Sequence, residues 1–219
     1  MNYKRLTLFC GHYGSGKTSI AVSTAVELKK QCQNVALADL DIVNPYFRAK
    51  DSMDMLENNG IRLICSEFAN SNVDFPALPQ EMYALTDDKN INAVLDIGGD
   101  ERGALALGRL APAILEENNY DMYLVINCYR PLTPDAESVN EIKNEIENAC
   151  KIPFTGIVNN SNLGAETDAE TVLKSTEYAE KVSELLGLPI VMTTVTEKLY
   201  KELDGKITNL FPIQVNNLF

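Results

Sequence analysis

The chain has 219 residues, 45% of them apolar and 23% charged, so its composition is globular and it is long enough to bury a sizeable core. Lys and Arg number 19 against 31 Asp and Glu, giving 19 − 31 = −12, which argues against nucleic-acid backbones and anionic membrane surfaces as partners. The charge is uneven: residues 1–109 hold 11 basic and 14 acidic side chains (−3), and residues 110–219 hold 8 and 17 (−9), so an anion site is expected in the first half.

In chain order, Lys4 and Arg5 precede the apolar stretch Leu6–Cys10. That stretch is shorter than a signal-peptide core and no cleavage site follows, so it reads as a first β-strand. The next residues, Gly11-His12-Tyr13-Gly14-Ser15-Gly16-Lys17-Thr18, match G-x-x-x-x-G-K-[ST] and run into a helix expected over 17–31. Strand, glycine-rich loop and helix in that order make a phosphate cradle. The glycines let backbone N–H groups turn inward, and the helix start adds its positive end. Lys17 is expected to reach the β- and γ-phosphates and to serve catalysis, Thr18 to ligate Mg²⁺, and Ser19 to join the phosphate-binding backbone.

A second strand, Val35–Asp39, ends in Asp39-Leu40-Asp41, followed by Asn44-Pro45 and the aromatic-basic cluster Tyr46-Phe47-Arg48. Strand alternation places Asp39 and Asp41 on one side, where one would hold the metal's hydration shell and the other position an attacking water. After a helical stretch at 47–59 come a strand at Arg62–Cys65 and a helix at 78–87. The strand Ala93–Ile97 then carries Asp96, a further metal-site carboxylate, and Asp96-Ile97-Gly98-Gly99 fits D-x-x-G, in which the Gly99 N–H would sense the γ-phosphate.

A helix at 103–118 and a strand at Met122–Asn127 follow, with Asn127 and the cluster Tyr129-Arg130-Pro131 at the strand's end. Thr133-Pro134-Asp135 supplies a cap and a first-turn proline for a helix at 134–149. The strand Phe154–Asn159 leads to a capping box, Thr167 with Glu170, at the start of a helix over 168–186. Ile190–Thr193 and a helix at 197–203 complete the set. Apolar strands alternating with amphipathic segments imply an α/β fold: a doubly wound, mostly parallel sheet of about seven strands with helices on both faces, in one domain over 1–219. No apolar run approaches the roughly 20 residues of a membrane span. Cys10, Cys32, Cys65, Cys128 and Cys150 form no C-x-x-C pair and read as reduced core thiols of a cytoplasmic protein.

Together these motifs resemble the signal-recognition/MinD/biotin-synthesis branch of P-loop NTPases, and within it the CobQ/CobB/MinD/ParA nucleotide-binding group. The resemblance implies that Asp41 in the first switch orients the attacking water, that Asp96 to Gly99 form the second switch, and that Asn159 helps read adenine. MinD and ParA relatives carry a lysine immediately after the first loop glycine, where this chain has His12. The loop is therefore an ordinary rather than a deviant Walker A loop, and lysine catalysis across a dimer is not implied.

Guanine-specific relatives use N-K-x-D, and the corresponding Asn159-Asn160-Ser161-Asn162 lacks the carboxylate that would accept guanine's two hydrogen bonds. ATP with Mg²⁺ is the expected ligand pair. The functional expectation is a slow ATPase acting as a switch on a protein partner, with a homodimer left open. The alternatives are an ATP-dependent small-molecule kinase or ligase and a non-hydrolysing ATP-binding adaptor. Six arginines with no two-arginine lid late in the chain weigh against the kinase.

Overall fold

The computed structural model describes residues 2–40, 50–65, 78–99 and 101–214. Eight parallel strands form one sheet in the order β3-β2-β4-β1-β5-β6-β7-β8. In chain order these are β1 (Leu6–Cys10), β2 (Val35–Leu40), β3 (Arg62–Cys65), β4 (Asn92–Ile97), β5 (Tyr120–Ile126), β6 (Gly156–Asn159), β7 (Ile190–Thr196) and β8 (Leu210–Ile213). The helices are α1 (Lys17–Lys29), α2 (Lys50–Asn58), α3 (Gln80–Asp87), α4 (Glu101–Gly108), α5 (Ala111–Glu117), α6 (Ala136–Cys150), α7 (Ala169–Leu186) and α8 (Glu197–Leu203).

Strand alternation sorts the core into two layers. Leu6, Leu8 and Cys10 of β1 face a cluster that includes Met82 and Leu85 of α3, Leu107 of α4, Val139 of α6 and Val182 of α7. Phe9 faces the opposite cluster, with Ile20, Ala25 and Leu28 of α1 and Leu56 of α2. Its ring lies against Tyr123 at 5.8 Å between centroids, tilted by 52°. Each fully buried side chain of this size contributes roughly 1.5–3 kcal/mol of transfer free energy. The central strands therefore read as continuous apolar runs: both faces are covered.

The sheet has one strand more than the sequence implies. β8 is a four-residue edge strand, half-buried apart from Ile213, and it contains Pro212. It pairs with β7 alone, and an edge position tolerates the missing N–H. Three local expectations are corrected. The helix foreseen over 103–118 is two helices, with Pro112 in the first turn of α5. Proline is favoured there and disfavoured in a continuous helix. Helix α6 is capped by Asp135, whose carboxylate accepts the Ser138 N–H at 2.8 Å, while Thr133 donates to the Asn127 carbonyl at 2.7 Å. Helix α7 is capped by Asp168, which accepts from the Thr171 N–H at 2.8 Å, and the Thr167 hydroxyl turns back to the Gly164 carbonyl. Only Cys10 and Cys150 are buried thiols; Cys32 and Cys128 are half-buried and Cys65 is exposed. No helix among the described residues is long and apolar enough to cross a membrane.

Candidate functional site

In an all-parallel sheet every strand's carboxyl end lies on one edge, and ligands of such sheets bind where the strand order reverses. Here β1 sits between β4 and β5, and the segment after it is Gly11 to Gly16. Gly11 has φ 146°, and a Cβ there would stand 2.5 Å from the Val125 carbonyl oxygen of β5. The loop turns on a bond from the Ser15 N–H to the His12 carbonyl at 3.2 Å, and Gly16 at φ 89° delivers the chain into α1. Helix α1 starts with no side-chain cap and no acidic residue in its first turn, whereas α6 and α7 each begin on a capping aspartate. Its first N–H groups, those of Lys17, Thr18 and Ser19, therefore start the helix with no side-chain cap, a geometry that could hold an anion.

Lys17 is 6% exposed, and its ammonium donates to the His12 carbonyl at 3.2 Å, folding back over its own loop. The His12 ring lies 3.0 Å from the Tyr13 carbonyl, at the loop's solvent side. Behind the loop, burial pushes the Cys10 thiol well above its ordinary range, so it stays neutral beside Lys17.

The carboxylates come from the neighbouring strands. Asp96 stands opposite Phe9 of β1 on one side and opposite Asp39 of β2 on the other. All three share the parity of Leu37 and Val94, so the two acids lie on the α1 face of the sheet, and both are buried. The Thr18 hydroxyl donates to Asp96 Oδ2 at 2.6 Å. That bond turns the hydroxyl's lone pairs away from the acid, the arrangement in which a threonine oxygen can take a hard cation. Among the described residues no three His, Cys, Asp or Glu side chains converge on a metal position. A divalent ion held here would therefore draw on Thr18, the Asp39–Asp96 pair, water and ligand phosphate oxygens, a donor set that fits Mg²⁺. Gly99 backs the loop from below: a Cβ on it would come within 2.5 Å of the Tyr13 N and 2.9 Å of the His12 carbonyl carbon. Asp41 and the cluster Tyr46-Phe47-Arg48 lie outside the described residues.

Asn159 is placed differently from the expectation that it reads the base. Its side chain is fully buried, donating to the Ser175 hydroxyl at 3.0 Å and accepting the Ser161 N–H at 3.1 Å. Both ends of the amide are used within the fold. The Asn127 side chain is likewise enclosed, with its amide oxygen Oδ1 accepting from the N–H groups of Tyr129 and Asn162 at 3.0 and 3.3 Å. Asn162 donates to the Asn160 carbonyl at 2.7 Å and accepts the Gly164 N–H at 3.1 Å. The asparagine that borders the phosphate loop is Asn160. Its amide donates to the Ser15 carbonyl at 2.6 Å and accepts a bond from the Thr194 hydroxyl, joining β7 to the loop. A Cβ on Gly16 would stand 2.2 Å from that amide nitrogen. Sequence reading passed over Asn160 because its role depends on β6 ending beside the loop.

Comparison with solved structures adds the fold. FtsY from Mycoplasma mycoides matches with 19% identity, covering 91% of this chain and 63% of that one, at TM-score 0.54. FtsY from Thermotoga maritima matches at 20% identity, 89% and 62% coverage, and TM-score 0.55. The signal recognition particle 54 kDa protein from Aeropyrum pernix K1, solved with GDP, matches at 15% identity, 88% and 41% coverage, and TM-score 0.54. The fold is that of a P-loop NTPase. The chain spans less than two thirds of the length of each of these structures. No protein-family model and no curated protein sequence matches it. Within this fold, the glycine-rich loop, Lys17, Thr18 and Asp96 come together at the sheet's carboxyl edge, with Lys17 and Asp96 buried beneath the loop.

Proposed function

We propose that the chain binds Mg-ATP at the Gly11–Thr18 loop and hydrolyses it slowly, as a nucleotide-dependent switch acting on a protein partner. The observation that carries this reading is the Thr18–Asp96 hydrogen bond beside an uncapped helix start and a buried Lys17, a donor set suited to a phosphate chain and one Mg²⁺. Lys17 and the loop amides bind phosphate, Thr18 holds the metal, and Asp39 and Asp96 order its water shell. Asp41 orients the attacking water, and the Gly99 N–H reports the γ-phosphate to the segment that begins α4. ATP is favoured over GTP because no carboxylate follows β6 before Glu166 to accept guanine's two donors. The partner surface is the same edge. Tyr13, Leu132 and Leu163 are 58%, 55% and 46% exposed on the segments that follow β1, β5 and β6, at the end of the sheet that carries the phosphate loop.

The deciding experiment measures phosphate release from ATP and from GTP, with and without candidate phosphoryl acceptors. Slow, acceptor-independent release from ATP supports the switch, whereas turnover only with an acceptor replaces it by a kinase, and no release from either leaves an adaptor. Light scattering with a non-hydrolysable ATP analogue asks whether the partner is a second copy of the chain.

A further inference from the structure

The loop between β5 and α6 carries an arginine over the phosphate loop. A Cβ placed on Gly14 would stand 3.9 Å from Arg130 Nε, so the guanidinium borders the middle of the cradle. The loop that holds it is braced from several sides. The Arg130 N–H bonds the Asn127 carbonyl and the Thr133 N–H bonds the Arg130 carbonyl, both at 3.1 Å. The Tyr129 hydroxyl donates to the Thr171 carbonyl at 2.9 Å, and the Tyr178 hydroxyl to the Thr133 carbonyl at 2.8 Å. The Cys128 N–H donates to the Ser161 hydroxyl at 3.1 Å. The backbone is thus fixed from α7 and from the segment after β6. Yet the Arg130 side chain is exposed and, among the described residues, has no hydrogen-bond or ion-pair partner. In a chain of net charge −12, an arginine held beside a phosphate cradle by a rigid loop and left unpaired is poised for an anion.

Charge balance points the same way. A nucleoside triphosphate with one Mg²⁺ retains about two negative charges, and Lys17 offsets one of them. Within Gly11–Thr18 the only other ionisable cation is His12, whose ring lies against the Tyr13 carbonyl. We propose that Arg130 is a nucleotide-binding residue that contacts the phosphates from within the same chain, as the second side-chain cation of the site. The proposal rests on the nucleotide-binding reading above. Arginine suits the task because its planar donor fork pairs with two phosphate oxygens at once.

Wild type, Arg130→Ala, Arg130→Lys and Lys17→Ala are compared by calorimetric titration with ATP and ADP at low and high salt. Adenosine binding is followed by ligand-observed NMR, and circular dichroism checks folding. Arg130→Ala is expected to weaken ATP and ADP about tenfold, to flatten the salt dependence and to leave adenosine unchanged, with Arg130→Lys recovering part of the loss. Unchanged ATP affinity and salt dependence in Arg130→Ala overturns the proposal while leaving nucleotide binding intact. Equal loss for adenosine and ATP also overturns it, since that marks base stacking or loop packing. If wild type binds no nucleotide, the parent reading and this one fall together.

Discussion

At Lys17 the demands of folding and of chemistry meet in one side chain. The ammonium is buried and, among the described residues, bonded only to the His12 carbonyl at 3.2 Å, a neutral partner that a phosphate oxygen would outcompete. Lys17→Ala is expected to lower ATP affinity at least a hundredfold in a calorimetric titration, and retention of tight binding would remove the loop from the site. Asn160 is the structural counterpart. Asn160→Ala removes the donor to the Ser15 carbonyl and leaves the Thr194 hydroxyl only its longer bond to the Asn159 carbonyl at 3.5 Å, with an expected loss of about 1–3 kcal/mol in urea unfolding and a weaker grip on nucleotide. The contrast between these two shows what a single residue discloses. Lys17 is legible because the eight-residue motif fixes its role locally. Asn159, Asn160 and Asn162 are indistinguishable as letters, and their roles follow from which strand end or serine each amide meets in space.

Among the elements, the strand-to-helix segments around β1 and β4 depend on each other. The loop after β1 is shaped by its own glycines, but it also rests on Gly99 after β4, with room for no side chain between them. Gly99→Ala should leave the circular dichroism unchanged while pushing the Tyr13 backbone outward, and ATP affinity should fall about tenfold or more; unchanged affinity would show that the loop yields freely. Asp135 and Asp168 cap α6 and α7, and the bonds from Ser138 and Thr171 hold both carboxyls below their ordinary range. Helix α1 has no such cap and stands where phosphate is expected. Sequence patterning located all of these helices, yet it misplaced the caps by one or two residues because threonine and aspartate are both good caps and only backbone geometry selects between them.

Across the whole molecule, the edge opposite the site is held by charge. Arg5, just before β1, is buried and forms an ion pair with Glu117 at the end of α5, and its guanidinium also donates to the Leu85 and Ile91 carbonyls at 2.9 and 2.8 Å. Lys89 adds a second cation to Glu117 at 2.7 Å. The hydrogen bonds from Arg5 and Lys89 hold the Glu117 carboxyl at about 2, against an ordinary value of 4.5. A depressed folded-state value means that the pair stabilises fully above the ordinary value and loses that contribution as pH falls toward 2. Glu117→Gln should therefore cost on the order of 2–3 kcal/mol at pH 7 in urea unfolding, with the gap from wild type closing progressively below about pH 4.5. A gap independent of pH would show that the carboxylate's charge is not what holds α5 to the sheet. Removing Arg5 should be worse, because it leaves Glu117 with Lys89 as its one charged partner among the described residues and frees the Leu85 and Ile91 carbonyls.

The α/β class, seven of the eight strands, the phosphate loop and the acids at two strand ends are legible in the order of residues alone. Each of these is written in short-range periodicity or in a contiguous motif, where neighbouring residues suffice to fix the chemistry. Packing in three dimensions is what puts β8 at the sheet's edge, ties the phosphate loop to β7 through Asn160, and brings Arg130 over Gly14. These last two relations join residues more than a hundred positions apart. They arise from the order in which parallel strands pack side by side, and no local pattern of residues records that order. The net charge of −12 belongs to the surface as a whole, while the positive groups gathered at the candidate site are loop amides, a helix start, Lys17 and Arg130.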